Sequence, residues 1–338
     1  MKKLFFPILG TLFVCASLLA QQETWTASRP DGHAPIHVMG DHMHTKGEFM
    51  FSYRFMTMQM QGLLSSSSEI QDSEVFKTYM AAPKEMSMNM HMLGAMYAPS
   101  DNLTLMVMAN YNDSNMQLSS KMNMPFETQS SGFGDVSLSG LIHLVAAKRQ
   151  KMHAQVGISV PTGSLNQRGS TPMNADARLA YPMQLGSGTW DPYVALTYLG
   201  QTDNTSWGLQ SGIKTRLGEN VEGYSLGNRL HIAGWCAAQA SKSLSFSGSM
   251  RYTSLGNISG QDAALNPMMM PMFDTKNSGR TQLDLGLGSN YLISEGLLKN
   301  LRFAVEILWA VNQKVEGIQM KNMWSGIFGL QYALGHHH

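Results

Sequence analysis

Methionine stands at every second position in three stretches of this chain: Met56, Met58 and Met60; Met86, Met88, Met90 and Met92; and Met106 and Met108. A period of two puts the thioethers of a strand on one face of a β-sheet, whereas a helix would spread them around its circumference. Ladders of soft sulfur suit soft metals, Cu(I) and Ag(I) above all, and 28 methionines in 338 residues is a large share. The same side chains also serve as pliable hydrophobes that fill an apolar space. Which use applies depends on where the ladders face.

Two further groups carry ligand chemistry. The segment HAPIHVMGDHMH holds His33, His37, Met39, Asp41, His42, Met43 and His44. It mixes imidazole, which suits Cu(II) and Zn(II), with thioether, which suits Cu(I). It has no fixed zinc-site spacing, and a His-rich polar linker is the plainer reading. Met268, Met269, Met270 and Met272 crowd the stretch NPMMMPMFD. Four exposed hydrophobes on a loop are a liability, so they either capture metal or fold over as a lid. His336, His337 and His338 close the chain, are either native or an appended tail, and carry little weight.

The elements that must position these groups follow from export and alternation. Lys2 and Lys3 precede an apolar run from Leu4 to Leu19, with Ala20 before Gln21; this pattern predicts a secretory signal peptide over residues 1–20. Val14 before Cys15 argues against a lipoprotein signal. The mature chain then keeps one cysteine, Cys236, expected as a buried small hydrophobe, so disulfides and thiolate metal motifs are excluded. Charged residues are 14% of the chain and the net charge is +1, too little basic field for nucleic acid. Beyond the leader there is no run of about 18 apolar residues for a helical span. A chain with 43% hydrophobic residues and 32 glycines is too strand-like and turn-rich for disorder.

Alternating segments of about ten residues are the signature of outer-membrane strands. Twelve are predicted: 47–61, 86–98, 102–117, 130–147, 150–162, 188–200, 204–217, 222–239, 242–256, 279–293, 298–313 and 321–334. Long connections (62–85, 118–129, 163–187, 257–278) alternate with short ones (99–101, 148–149, 201–203 and near Ser241). That is the rule for long extracellular loops and short periplasmic turns. The expectation is an all-β fold: an antiparallel transmembrane β-barrel of about 12 strands over residues 47–334, in the outer membrane of a Gram-negative bacterium. A periplasmic His/Met-rich segment, 21–46, precedes it and a His tail, 335–338, follows.

Parity assigns faces. Leu301, Phe303, Val305, Ile307 and Trp309 oppose Arg302 and Glu306, and a charge on the lipid side would cost about 2–4 kcal/mol near the midplane. The polar rows therefore line a lumen holding Arg54, Asp135, His143, Arg229, His231, Arg251, Asp284, Arg302 and Glu306. A salt-bridge network bracing the barrel is the plain account of these charges. Met56, Met58 and Met60 share the parity of Arg54 and face inward, as do Met106 and Met108, which oppose Leu105 and Val107. The middle ladder is ambiguous, because Met86 to Met96 alternate with polar as well as apolar residues.

Three stretches, SGFGDVSLSGLIHLV, ISVPTGSLNQRG and LGSGTWDPYVALTYLG, resemble the outer-membrane channel family named for the MetA pathway of phenol degradation. The matching positions are Gly134, Asp135 and Val136; Pro161, Thr162 and Gly163; and Gly186, Ser187, Gly188 and Asp191. The similarity runs from about residue 130 to the C-terminus. The N-terminal GDHMHTKGEFMFSYRFMTMQM looks like a Met-rich branch of such proteins, often found beside copper-resistance functions. The resemblance implies an outer-membrane transporter without catalytic residues.

The leading expectation is therefore an outer-membrane channel with a Met-lined lumen that handles copper or silver ions in transport or resistance. It needs no resident cofactor, though Cu(I) or Ag(I) could bind Met56, Met58, Met60, Met88, Met90, Met92, Met106 and Met108. The alternative is a channel for hydrophobic or aromatic small molecules. A barrel plugged by its own N-terminal segment is a further reading. An enzyme would need a Ser/His pair with an orienting group, and no nucleophile motif accompanies His143. The expected partners are outer-membrane lipid and either metal ions or small hydrophobic solutes.

Overall fold

The computed structural model describes residues 25–334; the predicted signal peptide and the His tail lie outside them. The strands in chain order are β1 (Phe49–Ser65), β2 (Ser68–Ile70), β3 (Ala81–Ser100), β4 (Leu103–Ser120), β5 (Pro125–Phe133), β6 (Val136–Ala147), β7 (Gln150–Val160), β8 (Arg168–Thr171) and β9 (Asn174–Arg178). They continue as β10 (Asp191–Gln201), β11 (Thr205–Lys214), β12 (Tyr224–Ser225), β13 (Arg229–Gln239), β14 (Leu244–Leu255), β15 (Ser259–Gly260), β16 (Arg280–Leu292), β17 (Leu301–Val315) and β18 (Ile318–Leu334). β18 pairs antiparallel with β1 along 15 positions from Phe49↔Leu334 to Ser65↔Ile318. The sheet thus closes on itself and leaves no edge at the seam, as a lipid-embedded sheet must. With β5 and β6 as the two halves of one kinked stave, the barrel has twelve antiparallel staves, as predicted. No helix among the described residues is long and apolar enough to cross a membrane.

Alternation decides the two faces. Leu93, Leu105, Val107, Phe246, Leu287, Phe303, Val305, Ile307 and Trp309 are exposed on the outside, while Ser245, Ser247, Ser249, Asp284, Arg302 and Glu306 are buried inside. Cys236 corrects the expectation of burial: it is exposed, because period two turns it outward while its neighbour Trp235 points into the lumen and is buried.

On β1, β3 and β4 the outer face changes character along the strand. Phe51, Leu93 and Val107 give way to Gln59 and Gln61, Glu85 and Ser87, and Asn115 and Gln117. The change falls at a band of aromatic contacts: Tyr53 OH lies 2.9 Å from His91 Nδ1, Phe55 packs on His91 with centroids 5.1 Å apart, and Tyr111 meets Phe133 edge-on at 5.3 Å. Aromatic girdles mark the bilayer interface, so this side of the wall stands clear of the lipid on the long-loop side.

β5 and β6 part at Gly134–Asp135. β4 pairs with β5 from Tyr111↔Phe133 to Ser119↔Pro125 and with β6 from Leu103↔Ile142 to Met108↔Ser137. β6 continues the wall into β7, but β5 has β4 as its one barrel partner. Its other edge lies beside the β8–β9 hairpin of the long loop.

Candidate functional site

The middle methionine ladder faces the lumen. In an antiparallel pair, directly opposed residues share a face, and Met92 lies opposite Arg54, whose side chain is buried inside the barrel. The same register sets Met56 against Met90, Met58 against Met88, Met60 against Met86 and Met50 against Met96. On the next strand Met86 opposes Met116 and Met96 opposes Met106. Cβ atoms so paired sit about 4.5–5.5 Å apart. Three staves thus carry one continuous methionine wall, including Met50, Met96 and Met116 beyond the residues singled out from the sequence.

The segment expected in the periplasm instead folds up into the barrel. Its first and last described residues both lie at the short-turn end: Thr26 exchanges two hydrogen bonds with the Gln201 side chain, 3.0 and 2.8 Å, and Glu48 directly precedes β1. Between them the chain climbs into the lumen and returns. Its backbone, having no strand partner, is satisfied by luminal side chains, as buried amides require. Arg302 Nη2 donates to Ala34 O at 2.6 Å, Gln210 to Met39 O at 2.9 Å, His153 to Gly40 O at 2.8 Å and Ser245 to Pro30 O at 2.9 Å. His44 N donates to Thr104 Oγ1 at 3.1 Å. The turn at Gly40 needs φ +62° and lies against Gln155 Oε1.

Apolar side chains seat the plug between these bonds. Ile36 packs with Ala304, Leu308, Ile327 and Met56. Trp25, Ala34 and Val38 pack with Leu199, Ala233 and Trp235, and Met43 meets Met50, Met96, Met106 and Leu141. Much of the luminal charge therefore holds the plug instead of bracing the wall alone. Glu306 receives His37, while Arg251 pairs with Asp284 within the wall at 2.9 Å.

The seven chemistry-bearing residues of the segment part company. His37 goes to Glu306 and Met39 sulfur to the Arg54 guanidinium, while Met43 enters the methionine wall. His33, Asp41 and His42 gather, each offering one ligand atom, all within 4.8 Å of one another. Burial alone would raise the Asp41 carboxyl, but His42, His33 and Arg302 around it hold it well below the usual carboxylate range. Burial, with Arg302 next, pushes His33 down to about 3, which leaves it neutral.

The long-loop end is covered. Met270 and Met272 are buried with Leu63, Val75, Tyr79, Met86, Met116, Leu118, Leu179, Met183 and Met320, and Met60 and Met88 pack against the group. Met269 O accepts Met80 N and Ala81 N at 3.1 and 2.9 Å, clamping the loop to the start of β3. Met268 is exposed. The NPMMMPMFD loop thus folds over this end of the barrel, with Met270 and Met272 turned inward. Asn277 Nδ2 joins it to Tyr79 OH at 2.7 Å, and Arg178 joins the other loops through Asp262 at 2.8 Å.

The remaining polar candidates are spread along the lumen and its rim. His231 lies 3.3 Å from Gln210 Oε1, Arg229 is exposed at the start of β13, and His143 is half-buried near the short turns. Asp135 sits at the β5–β6 kink and ties the Gly/Asp motifs together. It accepts from Gly163 N at 2.9 Å and from Ser187 N and Oγ at 2.8 and 2.7 Å. Gly163 and Gly186 approach so closely that a Cβ on either would lie 2.4–2.6 Å from the other's backbone. Thr162 Oγ1 donates to Gly134 O at 3.1 Å. Three motifs distant in sequence therefore build one knot beside the β5 edge.

Among solved structures, the chain shares its fold with an outer membrane channel from Pseudomonas putida F1, with a TM-score of 0.61 at 11% identity, covering 87% of this chain and 98% of that one. A Pseudomonas aeruginosa FadL homologue has a TM-score of 0.42 at 9% identity, over 86% and 91% of the two chains. The transport unit of the autotransporter AIDA-I from Escherichia coli has a TM-score of 0.48 at 10% identity, over 88% and 93%. No family model and no curated protein matches the sequence. The fold is nonetheless defined: a closed, twelve-stranded antiparallel β-barrel like that of the outer membrane channel.

Proposed function

We propose that the protein is an outer-membrane channel for small hydrophobic or aromatic molecules, closed at one end by its N-terminal plug and at the other by its methionine-rich lid. The observation that carries this reading is how the methionine wall is packed. Its upper members, Met60, Met86, Met88 and Met116, share a cluster with leucine, valine, alanine and aromatic side chains, and its lower members, Met50, Met96 and Met106, share one with Leu141 and Met43. The thioethers pack as hydrophobes, and such flexible side chains adapt to varied apolar solutes. The one-sided pairing of β5 leaves a strand of the wall whose second edge meets the β8–β9 hairpin instead of a further barrel strand.

A second reading, carriage of Cu(I) or Ag(I), draws on the half-buried opposed pairs Met56–Met90 and Met58–Met88, which offer two sulfurs at each level. Weak sites in series suit conduction better than one tight site.

Replacing Met56, Met58, Met88 and Met90 together by Leu separates the two. Leucine keeps the apolar wall at similar volume and removes the sulfur. Uptake of radiolabelled toluene by cells carrying the variant should match that of the parent, whereas replacement by Gln should abolish it. A parent that takes up no more toluene than cells lacking the protein, with Cu(I) binding that the Leu variant loses, would overturn the hydrophobic reading in favour of the metal one.

A further inference from the structure

The gathering of His33, Asp41 and His42 is not used by the hydrophobic channel reading, and its construction is specific. Residue 33 and residues 41–42 meet because the chain reverses at Gly40, held there by His153. The Asp41 carboxylate is aimed by Ala34 N, which donates to Oδ2 at 3.1 Å. Its two oxygens face the two imidazoles: Oδ1 is 3.0 Å from His42 Nδ1 and Oδ2 is 3.8 Å from His33 Nδ1. Both residues are more than nine-tenths buried, their rings meet edge-on with centroids 4.7 Å apart, and both Nδ1 atoms lack a properly aligned hydrogen-bond partner. A buried polar atom left so is costly in a site built only for packing.

We propose that His33, His42 and Asp41 bind one divalent cation of the zinc class, Zn(II) or Cu(II), which fastens the plug. Two nitrogens and a carboxylate oxygen are the donor set these ions favour. Bonds of about 2.0–2.2 Å at tetrahedral angles set ligand atoms about 3.3–3.6 Å apart, so a spread of up to 4.8 Å closes with a side-chain movement of about 1.5 Å. His44 is the nearest further ligand, its ring 4.9 Å from that of His42. The three histidines and Glu48 line a cavity of about 160 Å³ that reaches Leu292, Asn300 and Lys151 at the short-turn end. An ion therefore has a route from the periplasmic side. The negative charge of Asp41 offsets the nearby Arg302 guanidinium. This site is independent of the hydrophobic channel reading, because its donors are nitrogen and oxygen and none belongs to the wall.

The test uses the full detergent-solubilised chain with His336, His337 and His338 replaced by Ala, so that the tail binds nothing. Titration with Zn(II) or Cu(II) should give one ion per chain. Asp41→Asn and His42→Gln should each weaken binding at least tenfold, and His91→Gln, on the lipid face, should not. X-ray absorption of the loaded, otherwise unsubstituted protein should show nitrogen and oxygen at about 2.0 Å and needs no plug variant to fold. No binding, equal binding in both plug variants, or sulfur in the first coordination sphere would overturn the proposal. Toluene uptake is measured in parallel, so a failed metal site leaves the channel reading standing.

Discussion

Glu306 of β17 holds His37 of the plug at two points, accepting its backbone N–H at 3.0 Å and lying 2.9 Å from its Nδ1. Ser249 Oγ donates to the same carboxylate at 2.7 Å, so one luminal acid fixes the top of the plug to two staves. Hydrogen bonds to a charged group contribute about 1.5–3 kcal/mol each. Glu306→Ala should therefore release this part of the plug by several-fold or more. The readout is single-channel conductance in planar bilayers, where the parent should be closed and the variant should open intermittently. A variant as silent as the parent would show that Glu306 does not retain the plug.

The plug turn depends on one glycine. At Gly40 a side chain meets both an unfavourable φ of +62° and Gln155 Oε1 at 2.7 Å from the added Cβ, whereas at Gly62 φ is +78° and nothing lies within 4 Å. Gly62→Ala should cost about 1 kcal/mol from conformation alone. Gly40→Ala should cost more and should also expose the plug to added protease. Equal effects in thermal unfolding followed by heat-shifted gel mobility would refute the steric part.

Asp135 should matter to the long loop more than to the barrel. Asp135→Ala removes acceptors from Gly163 N and from both donors of Ser187, leaving amides that need new partners. Limited proteolysis should then cut within residues 161–190 at least tenfold faster, with the barrel core intact. An unchanged cleavage rate would mean that the glycine contacts alone hold the knot.

The loops over the long-loop end should loosen in alkali, where Tyr181 and Tyr224 cluster with Leu265, and Phe273 of the lid packs against them. Burial pushes the Tyr224 phenol up to about 12, and Tyr181, which it meets edge-on at 4.8 Å, is raised by the same cause. A group whose folded pKa lies above its unfolded value gives its full stabilisation below the unfolded pKa, near 10, and loses it as pH rises toward the folded one. These loops should thus weaken between about pH 10 and about pH 12. Absorbance at about 295 nm should show a late-titrating phenol that Tyr224→Phe removes; an unchanged titration curve would contradict this.

Much of the barrel was legible because period two is a local signal. The alternation from Leu301 to Trp309 fixes the lipid face without any knowledge of neighbours, and the twelve predicted segments differ from the strands mainly at the long-loop ends. The Met86–Met96 ladder was not legible, since its outer residues are polar above the bilayer, as at Asn89 and Ser87, and only the register Met92↔Arg54 resolves it. The plug was still less accessible. Residues 25–48 have no period, and their partners Gln201, Gln210, Ser245, Arg302 and Glu306 are single side chains scattered over four strands. Of its ligand-type residues, the sequence indicated the types but not that Asp41 joins His33 and His42 while His37, Met39 and Met43 leave them.

The seam between β1 and β18 joins the first and last staves of the barrel, and the plug leads directly into the first. His37 and Glu306 are 269 residues apart in the chain, so the plug's chief anchors are made only after nearly all of the protein has been synthesised. Non-local contacts of this span form late, because loop closure must precede them. The plug is therefore enclosed by the same event that seals the barrel, and insertion into the membrane and closure of the pore become one step of assembly.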